Sequence, residues 1–225
     1  MYGLSDEEPA PVRGRRTPRV SGDDREQAIL DAAHHLLGEK PLQAISVEEL
    51  TRIVGISRPA FYFYFSSKAD VVLALLDRIA QASFEAADRR YENADGDPFG
   101  LWHSGILASV RTWTEHRAVI EAVAQLRPGH PQIRDLWALI MERWVQRVAA
   151  AIEREREGGM APAGVPAREL AIALSLMNER AMHATSVGDE PALTQDRLVD
   201  SLTQIWVNAI YLTANPPRVP EAEAR

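Results

Sequence analysis

The sequence predicts an all-α protein of about nine helices, in which an N-terminal three-helix helix-turn-helix unit is followed by a larger helical domain. Three observations predict it. Apolar residues recur at three- and four-residue spacing along most of the chain, helix-starting Ser, Thr and Asp stand before these runs with Gly or Pro after them, and no segment shows the period-2 alternation of a strand. With 225 residues, 46% of them hydrophobic and 25% charged, the chain can bury one small and one larger core. It has no cysteine, which excludes disulfides and thiolate-bound zinc. No apolar run approaches a membrane span, and Met1–Ala10 is acidic, unlike a secretion signal, so the expectation is a cytoplasmic protein with no membrane partner.

Residues 1–22 carry Pro9, Pro11, Pro18 and Gly14 without apolar periodicity and read as a flexible arm. Asp23 or Asp24 caps a first helix whose stripe is Ala28, Ile29, Ala32, Ala33, Leu36 and Leu37, and Gly38 and Pro41 end it. Ser46-Val-Glu-Glu49 is a capping box, opening a short helix with Val47, Leu50 and Val54 inward and a stop at Gly55. Ser57 caps the next helix, which runs to Phe65 with Pro59 in its first turn. Ser66 and Ser67 cap a long fourth helix along Val72, Leu75, Leu76, Ile79 and Ala86, ending near Asn93–Gly96. Asp97-Pro98 starts a fifth helix reaching about Glu115, a shorter one spans Arg117–Leu126, and Pro128-Gly-His-Pro131 breaks the pattern. A long helix then runs from about Gln132 to Glu157, and two more cover about Ala167–Val187 and Thr194–Thr213. The division is a flexible basic arm over 1–22, a helix-turn-helix domain over 23–68, a second domain over 69–215 and a disordered tail over 216–225.

Short helices joined by Gly55-Ile56-Ser57 match helix-turn-helix spacing: glycine permits a left-handed turn, Ile56 plugs the interface and Ser57 caps the second helix. A recognition helix must turn polar or aromatic side chains outward from its N-terminal half. Ser57, Arg58, Pro59, Ala60, Tyr62, Phe63 and Tyr64 are the candidates for the DNA side, while Phe61 and Phe65, four apart, share a core-facing side. The alternative is that the whole aromatic run only packs. Lys68, at the start of the next helix, can hold a phosphate together with free backbone N–H groups, or be simply solvated. The net charge of -7 argues against a protein that coats nucleic acid, but Arg13, Arg15, Arg16 and Arg19 form a basic arm free of acidic residues. That arm reads either as a local phosphate-binding stripe or as a solvated tail.

The tryptophans are spaced regularly. Trp102, Ile106, Ser109 and Trp113 share one helix face, and Trp137, Met141, Trp144 and Val148 repeat the spacing on the long helix. Trp206 lies on the last helix and Asn178 on the one before it. Such stripes usually fill a core. Here gaps at Gly105, Ser109 and Ser175 and a lone amide, Asn178, among apolar residues also describe an apolar tunnel with one polar handle.

Gly55-Ile-Ser-Arg-Pro-Ala-Phe-Tyr-Phe-Tyr-Phe-Ser-Ser-Lys68 resembles the signature of the TetR family of repressors. Gly14-Arg-Arg-Thr17, Ser21-Gly-Asp-Asp-Arg-Glu26, Leu174-Ser-Leu-Met-Asn-Glu-Arg180 and Ile205-Trp-Val207 are similar to its EthR-type branch, repressors of a Baeyer–Villiger monooxygenase, and the likeness extends from about Gly14 to Tyr211. The resemblance implies a homodimer paired through the last two helices, recognition helices in successive major grooves of double-stranded operator DNA, and a basic arm reaching adjacent DNA. It implies that the second domain binds a small hydrophobic effector in a channel lined by Leu101, Trp102, Gly105, Trp113, Trp137, Met141, Trp144, Asn178 and Trp206, with Asn178 bonding a ligand carbonyl or amide. Ser109 and Ser175 depart from that pattern, where an aromatic ring and a second amide are expected. It further implies that ligand favours a dimer whose recognition helices no longer match the operator. Leu170, Leu174, Met177, Leu198, Leu202 and Ile205 supply apolar stripes on the last two helices, which serve a core as readily as an interface.

The competing classes are an all-α enzyme and a regulator of the same fold with a polar effector or an activating role. His34, His35, His103, His116 and His183 are the best catalytic candidates, but His34-His35 lacks the i, i+4 spacing of a helical metal pair and the others are isolated. No phosphate loop is present, so no catalysis, cofactor or metal is expected.

Overall fold

A computed structural model describes residues 22–91 and 97–213, with side chains over 22–87 and 97–213. The arm residues Arg13, Arg15, Arg16 and Arg19, and the tail over 216–225, lie outside the described residues. Among those described there are nine α-helices and no strand: α1 Gly22–Glu39, α2 Val47–Val54, α3 Arg58–Tyr64, α4 Lys68–Tyr91, α5 Pro98–Glu115, α6 Arg117–Leu126, α7 Pro131–Glu157, α8 Ala167–Val187 and α9 Gln195–Tyr211. The predicted all-α class and helix order stand.

Differences lie at the ends. Gly38 sits inside α1, which continues to Glu39, and the Lys40 N–H still donates to the Leu36 carbonyl at 3.0 Å. Proline at 41 then forces an extended backbone, and a single 3-10 turn, Leu42–Ala44, leads into α2. That turn is absent from the sequence expectation because three residues are too few to show a period. Phe65 is extended (φ -134°, ψ 124°) and caps α3 rather than continuing it. Asp97 opens α5 as expected, its side chain accepting from the Phe99 N–H at 3.2 Å.

Two apolar clusters hold these helices. The first joins α1 to α4 with α6 and the N-terminal half of α7, through Ile29, Leu50, Phe61, Leu75, Val123 and Ile133. The second joins α5, the rest of α7, α8 and α9, through Trp102, Ile152, Leu174, Leu202 and Trp206. α4 and α6 therefore lie in the core of the helix-turn-helix unit while bordering the second cluster, since α5 packs on both.

Candidate nucleic-acid interface and ligand channel

The helix-turn-helix is built by local chemistry at each joint. The Ser46 hydroxyl accepts from the Glu49 N–H at 3.1 Å. The Glu49 carboxylate takes both Lys40 Nζ hydrogen bonds, at 2.6 and 2.7 Å, and this contact holds its pKa below the ordinary value. Gly55 adopts φ 73°, ψ 34°, a left-handed conformation that a Cβ would strain. Half-buried Ile56 packs on the first core, and the Ser57 hydroxyl accepts from the Ala60 N–H at 3.3 Å.

On α3, Phe61 and Phe65 are buried as expected. Phe63 is 83% and Tyr62 45% exposed, with Arg58 and Pro59 exposed and Ala60 half-buried. Tyr64 differs. It is half-buried against the first core, because three residues from Phe61 lies on the same helical face as four. Arg58 is not free: it pairs with the Glu48 carboxylate, donates to the Tyr62 hydroxyl at 3.3 Å and places its guanidinium 5.7 Å from the Tyr62 ring centroid. Lys68 also differs from a solvated or phosphate-waiting ammonium. Its Nζ donates to the Leu42 carbonyl at 2.9 Å and to the Ile45 carbonyl, tying α4 to the 3-10 turn.

A cavity of about 440 Å³ lies between α4, α5, α7, α8 and α9. Leu101, Trp102, Gly105, Ile106, Ser109 and Trp113 line it from α5, Trp137, Met141, Trp144 and Val148 from α7, Ser175 and Asn178 from α8, and Trp206 from α9. The tryptophan stripes therefore face a void as well as a core. Trp102 and Trp206 stand 5.3 Å apart at 48°, and Trp113 meets Trp137 edge-to-face at 6.3 Å. Gly105 leaves open space, with no atom within 4 Å of where a Cβ would stand. The Ser109 hydroxyl turns back to the Gly105 carbonyl at 3.2 Å.

The polar handles are engaged within the protein. The Trp206 indole donates to Asn178 Oδ1 at 2.9 Å. The Trp102 indole donates to the Tyr211 hydroxyl at 3.0 Å, and that hydroxyl donates to Glu155 Oε2 at 2.7 Å. Burial, and then the Glu155 carboxylate, push the Tyr211 phenol well above its ordinary range, so it stays a donor. Sequence reasoning missed Tyr211, which holds Trp102 from behind the wall, and it missed the α4 wall of Leu76, Ile79, Ala80 and Ser83 together with Glu179. The α4 stripe is visible in the sequence, but its spacing does not say what it faces, and a carboxylate beside an apolar tunnel gives no periodic signal.

The stripes of the last two helices divide. Leu170, Leu174, Leu198 and Leu202 are buried within the chain and Met177 is half-buried, whereas Ile205 is 44% exposed. Ile172, Leu176 and Leu212 join Ile205 on the open surface, with Leu176 55% exposed. Among the histidines, His34 Nε2 and His116 Nδ1 lie 3.1 Å apart, linking α1 to the α5–α6 junction. Among the described residues no group of three or more His, Asp or Glu side chains is placed to hold a metal ion, and no helix is long and apolar enough to cross a membrane.

The two halves of this architecture match known proteins separately. Residues 29–75 match the family model for bacterial regulatory proteins of the tetR family, and residues 102–212 match that for the C-terminal domain of the transcriptional regulator EthR. The chain is 46% identical over 200 residues to the HTH-type transcriptional regulator EthR of Mycobacterium tuberculosis, covering 88% of this chain and 93% of that protein. It is 41% identical over 201 residues to the EthR of Mycolicibacterium smegmatis, covering 89% and 93%. A solved TetR-family regulator from Syntrophomonas wolfei superposes with a TM-score of 0.68 at 16% identity, over 84% of this chain and 96% of that one, a likeness of fold alone. The chain belongs to the TetR family of bacterial transcriptional regulators, in its EthR-type branch.

Proposed function

We propose that this regulator is a cytoplasmic repressor that holds operator DNA as a homodimer and lets go when a small, mostly apolar ligand fills the tryptophan-walled channel. The observation that carries the ligand reading is the Trp206–Asn178 hydrogen bond inside the cavity wall. An indole N–H is a donor only, so it fixes the amide with Oδ1 toward Trp206 and leaves the NH₂ group as the hydrogen-bonding end offered to a ligand. The effector is accordingly an apolar molecule with a carbonyl-type acceptor, such as a ketone, ester or amide.

Exposed Tyr62 and Phe63 support the DNA reading, since phenol can reach phosphate and a bare ring edge can meet a thymine methyl. Lys68 and Arg58 enter it as supports of the recognition helix, with donors remaining beyond the bonds they already make. Ser57 and Ala60 present backbone at the start of α3, Tyr64 contributes its half-exposed edge, and the arm Arg13–Arg19 adds charge. For the dimer, Ile172 and Leu176 on α8 with Ile205 and Leu212 at the end of α9 form the outward apolar face that a second copy covers.

The test is a titration of a fluorescent DNA fragment from upstream of the neighbouring gene, with and without 2-dodecanone. Saturable binding that weakens at least tenfold with ligand supports the reading, and Asn178→Leu should blunt the ligand effect. DNA affinity that never responds while the ketone raises the melting temperature would leave a pocket without a switch. Binding that activates transcription of that gene would replace repression with activation.

A further inference from the structure

Beside one wall of the cavity stands a cation that belongs to the protein itself. Arg127, the residue that caps α6, places its guanidinium carbon 5.3 Å from the centroid of the Trp137 ring. Its Nη1 lies 3.5 Å from Glu179 Oε1. Trp137 and Glu179 both line the cavity, whereas Arg127 reaches this corner from outside the wall. Trp113, edge-on to Trp137, supplies a second ring. A carboxylate with aromatic faces beside it is the chemistry that binds alkylammonium groups, because the ring quadrupole and the carboxylate attract positive charge while the rings tolerate its methyl groups. The remaining charged lining residues strengthen the point. Among the described lining residues Arg111 supplies one positive charge and Glu115 and Glu179 two negative ones, so the wall itself carries an excess of negative charge.

The geometry points to an alkylammonium subsite at Trp113, Trp137 and Glu179, which Arg127 occupies and from which an apolar ligand with a cationic head displaces it. The inference rests on the channel being a ligand site and adds the class of head group its far corner accepts. Displacement is cheap. The Arg127 side chain is 38% exposed and Glu179 22%, and an ion pair so close to solvent contributes about 0–1 kcal/mol, so the guanidinium can swing into water with little loss. The displaced group sits at the end of α6, which packs on α1 and α4 of the DNA-binding unit. A cationic head would therefore release the C-terminal end of α6 from α7 and α8, whereas a neutral ligand beside Asn178 would leave that end held.

The experiment compares decyltrimethylammonium, below its micelle concentration, with the neutral 2-dodecanone of similar length, by calorimetric titration of the full-length protein and of Glu179→Gln and Arg127→Met. The subsite predicts opposite effects of the two substitutions on the ammonium probe alone. Glu179→Gln should weaken it by about fivefold or more, the order of one cation–carboxylate and cation–π contact. Arg127→Met removes the competitor and should tighten it by about threefold or more. The ketone should stay within about twofold in Arg127→Met and lose less than the ammonium probe does in Glu179→Gln. Ketone binding without ammonium binding overturns the subsite and leaves the channel standing. Ammonium binding that neither substitution changes, or that Arg127→Met weakens, also overturns it. Failure of both probes to bind overturns the channel reading and the subsite with it. Melting curves on both variants check that each remains folded.

Discussion

Replacing Tyr211 by Phe removes one oxygen and nothing else, and that oxygen joins three helices. It accepts from the Trp102 indole on α5 at 3.0 Å and donates to Glu155 on α7 at 2.7 Å, from a ring that is 3% exposed on α9. The phenyl ring keeps the packed volume, so no large cavity term enters. The Trp102 N–H, itself buried, is left without its acceptor, a loss of about 1–3 kcal/mol. The charge-assisted bond to Glu155 adds about 1.5–3 kcal/mol, discounted because that carboxylate is only half-buried and can recruit water. The expected destabilisation is about 2–4 kcal/mol, a fall in melting temperature of about 5–15 °C for a domain of this size. Urea unfolding followed by tryptophan fluorescence, at one fixed protein concentration so that any self-association is held constant, measures the change. The double variant with Trp102→Phe should lose less than the sum of the single losses, since the two substitutions break a shared bond. A Tyr211→Phe loss below about 0.5 kcal/mol, or strict additivity in that cycle, would refute the argument that this hydroxyl holds the channel wall.

Lys68→Met should destabilise the protein by about 2 kcal/mol through loss of the ammonium bonds to the Leu42 and Ile45 carbonyls, read as a lower urea midpoint. An unchanged midpoint with weakened DNA binding would make Lys68 a phosphate contact first. Phe63→Ala, at an 83% exposed position, should shift stability by no more than about 0.5 kcal/mol yet weaken DNA binding about fivefold or more in a gel-shift titration; unchanged affinity would remove Phe63 from the interface. Gly105→Ala should raise stability by about 0.5–1 kcal/mol, since the space is open and the position is inside a helix, and a loss in thermal unfolding would show that the gap is needed empty. His116 is held below its ordinary value of 6.5 by burial first, then by His34 and Arg78, with Glu115 opposing. A histidine depressed in the folded state binds fewer protons than in the unfolded chain, so its contribution is present above about pH 6.5 and declines as pH falls below it. His116→Gln should flatten the fall in melting temperature between pH 7.5 and 5.5; an equal fall in both proteins would refute the assignment.

What could be read from the sequence follows from range. Helix ends at Ser46, Gly55, Ser57 and Asp97 rest on bonds within four residues, and each stands where the cap chemistry put it. The tryptophan stripes were visible because 3.6-residue periodicity places Trp102 with Trp113 and Trp137 with Trp144, whatever they face. Whether they faced protein or a void was undecidable locally, since it depends on α4 and α8 approaching from elsewhere in the chain. The same holds for Tyr211, 109 residues from Trp102, and for the His34–His116 contact across 82 residues. Tyr64 is a different case. Its half-burial follows from the spacing to Phe61, while the run of aromatics points equally to the DNA side. The fold splits the apolar stripes of α8 and α9, with Leu170, Leu174, Leu198 and Leu202 going inward and Ile205 outward.

The shared position of α4 limits how the channel can speak to DNA. Leu76 and Ile79 line the cavity and are at the same time buried members of the core that holds the recognition helix. A ligand pressing on them presses on the DNA-binding unit without an intervening relay. The energy required is modest. Weakening DNA binding a hundredfold needs a ligand that favours the non-binding arrangement by about 2.8 kcal/mol, at about 1.4 kcal/mol per factor of ten. At about 25 cal/mol per Å² this is the burial of roughly 110 Å² more apolar ligand surface in one arrangement than in the other. A drug-sized ligand in a cavity of about 440 Å³ can meet that difference through a small tilt of α4, one that closes the wall around it. Under the proposed ligand reading, length is therefore the variable that should set how far DNA binding falls. A chain too short to touch Leu76 and Ile79 can bind at Asn178 and Trp206 and still leave the operator occupied.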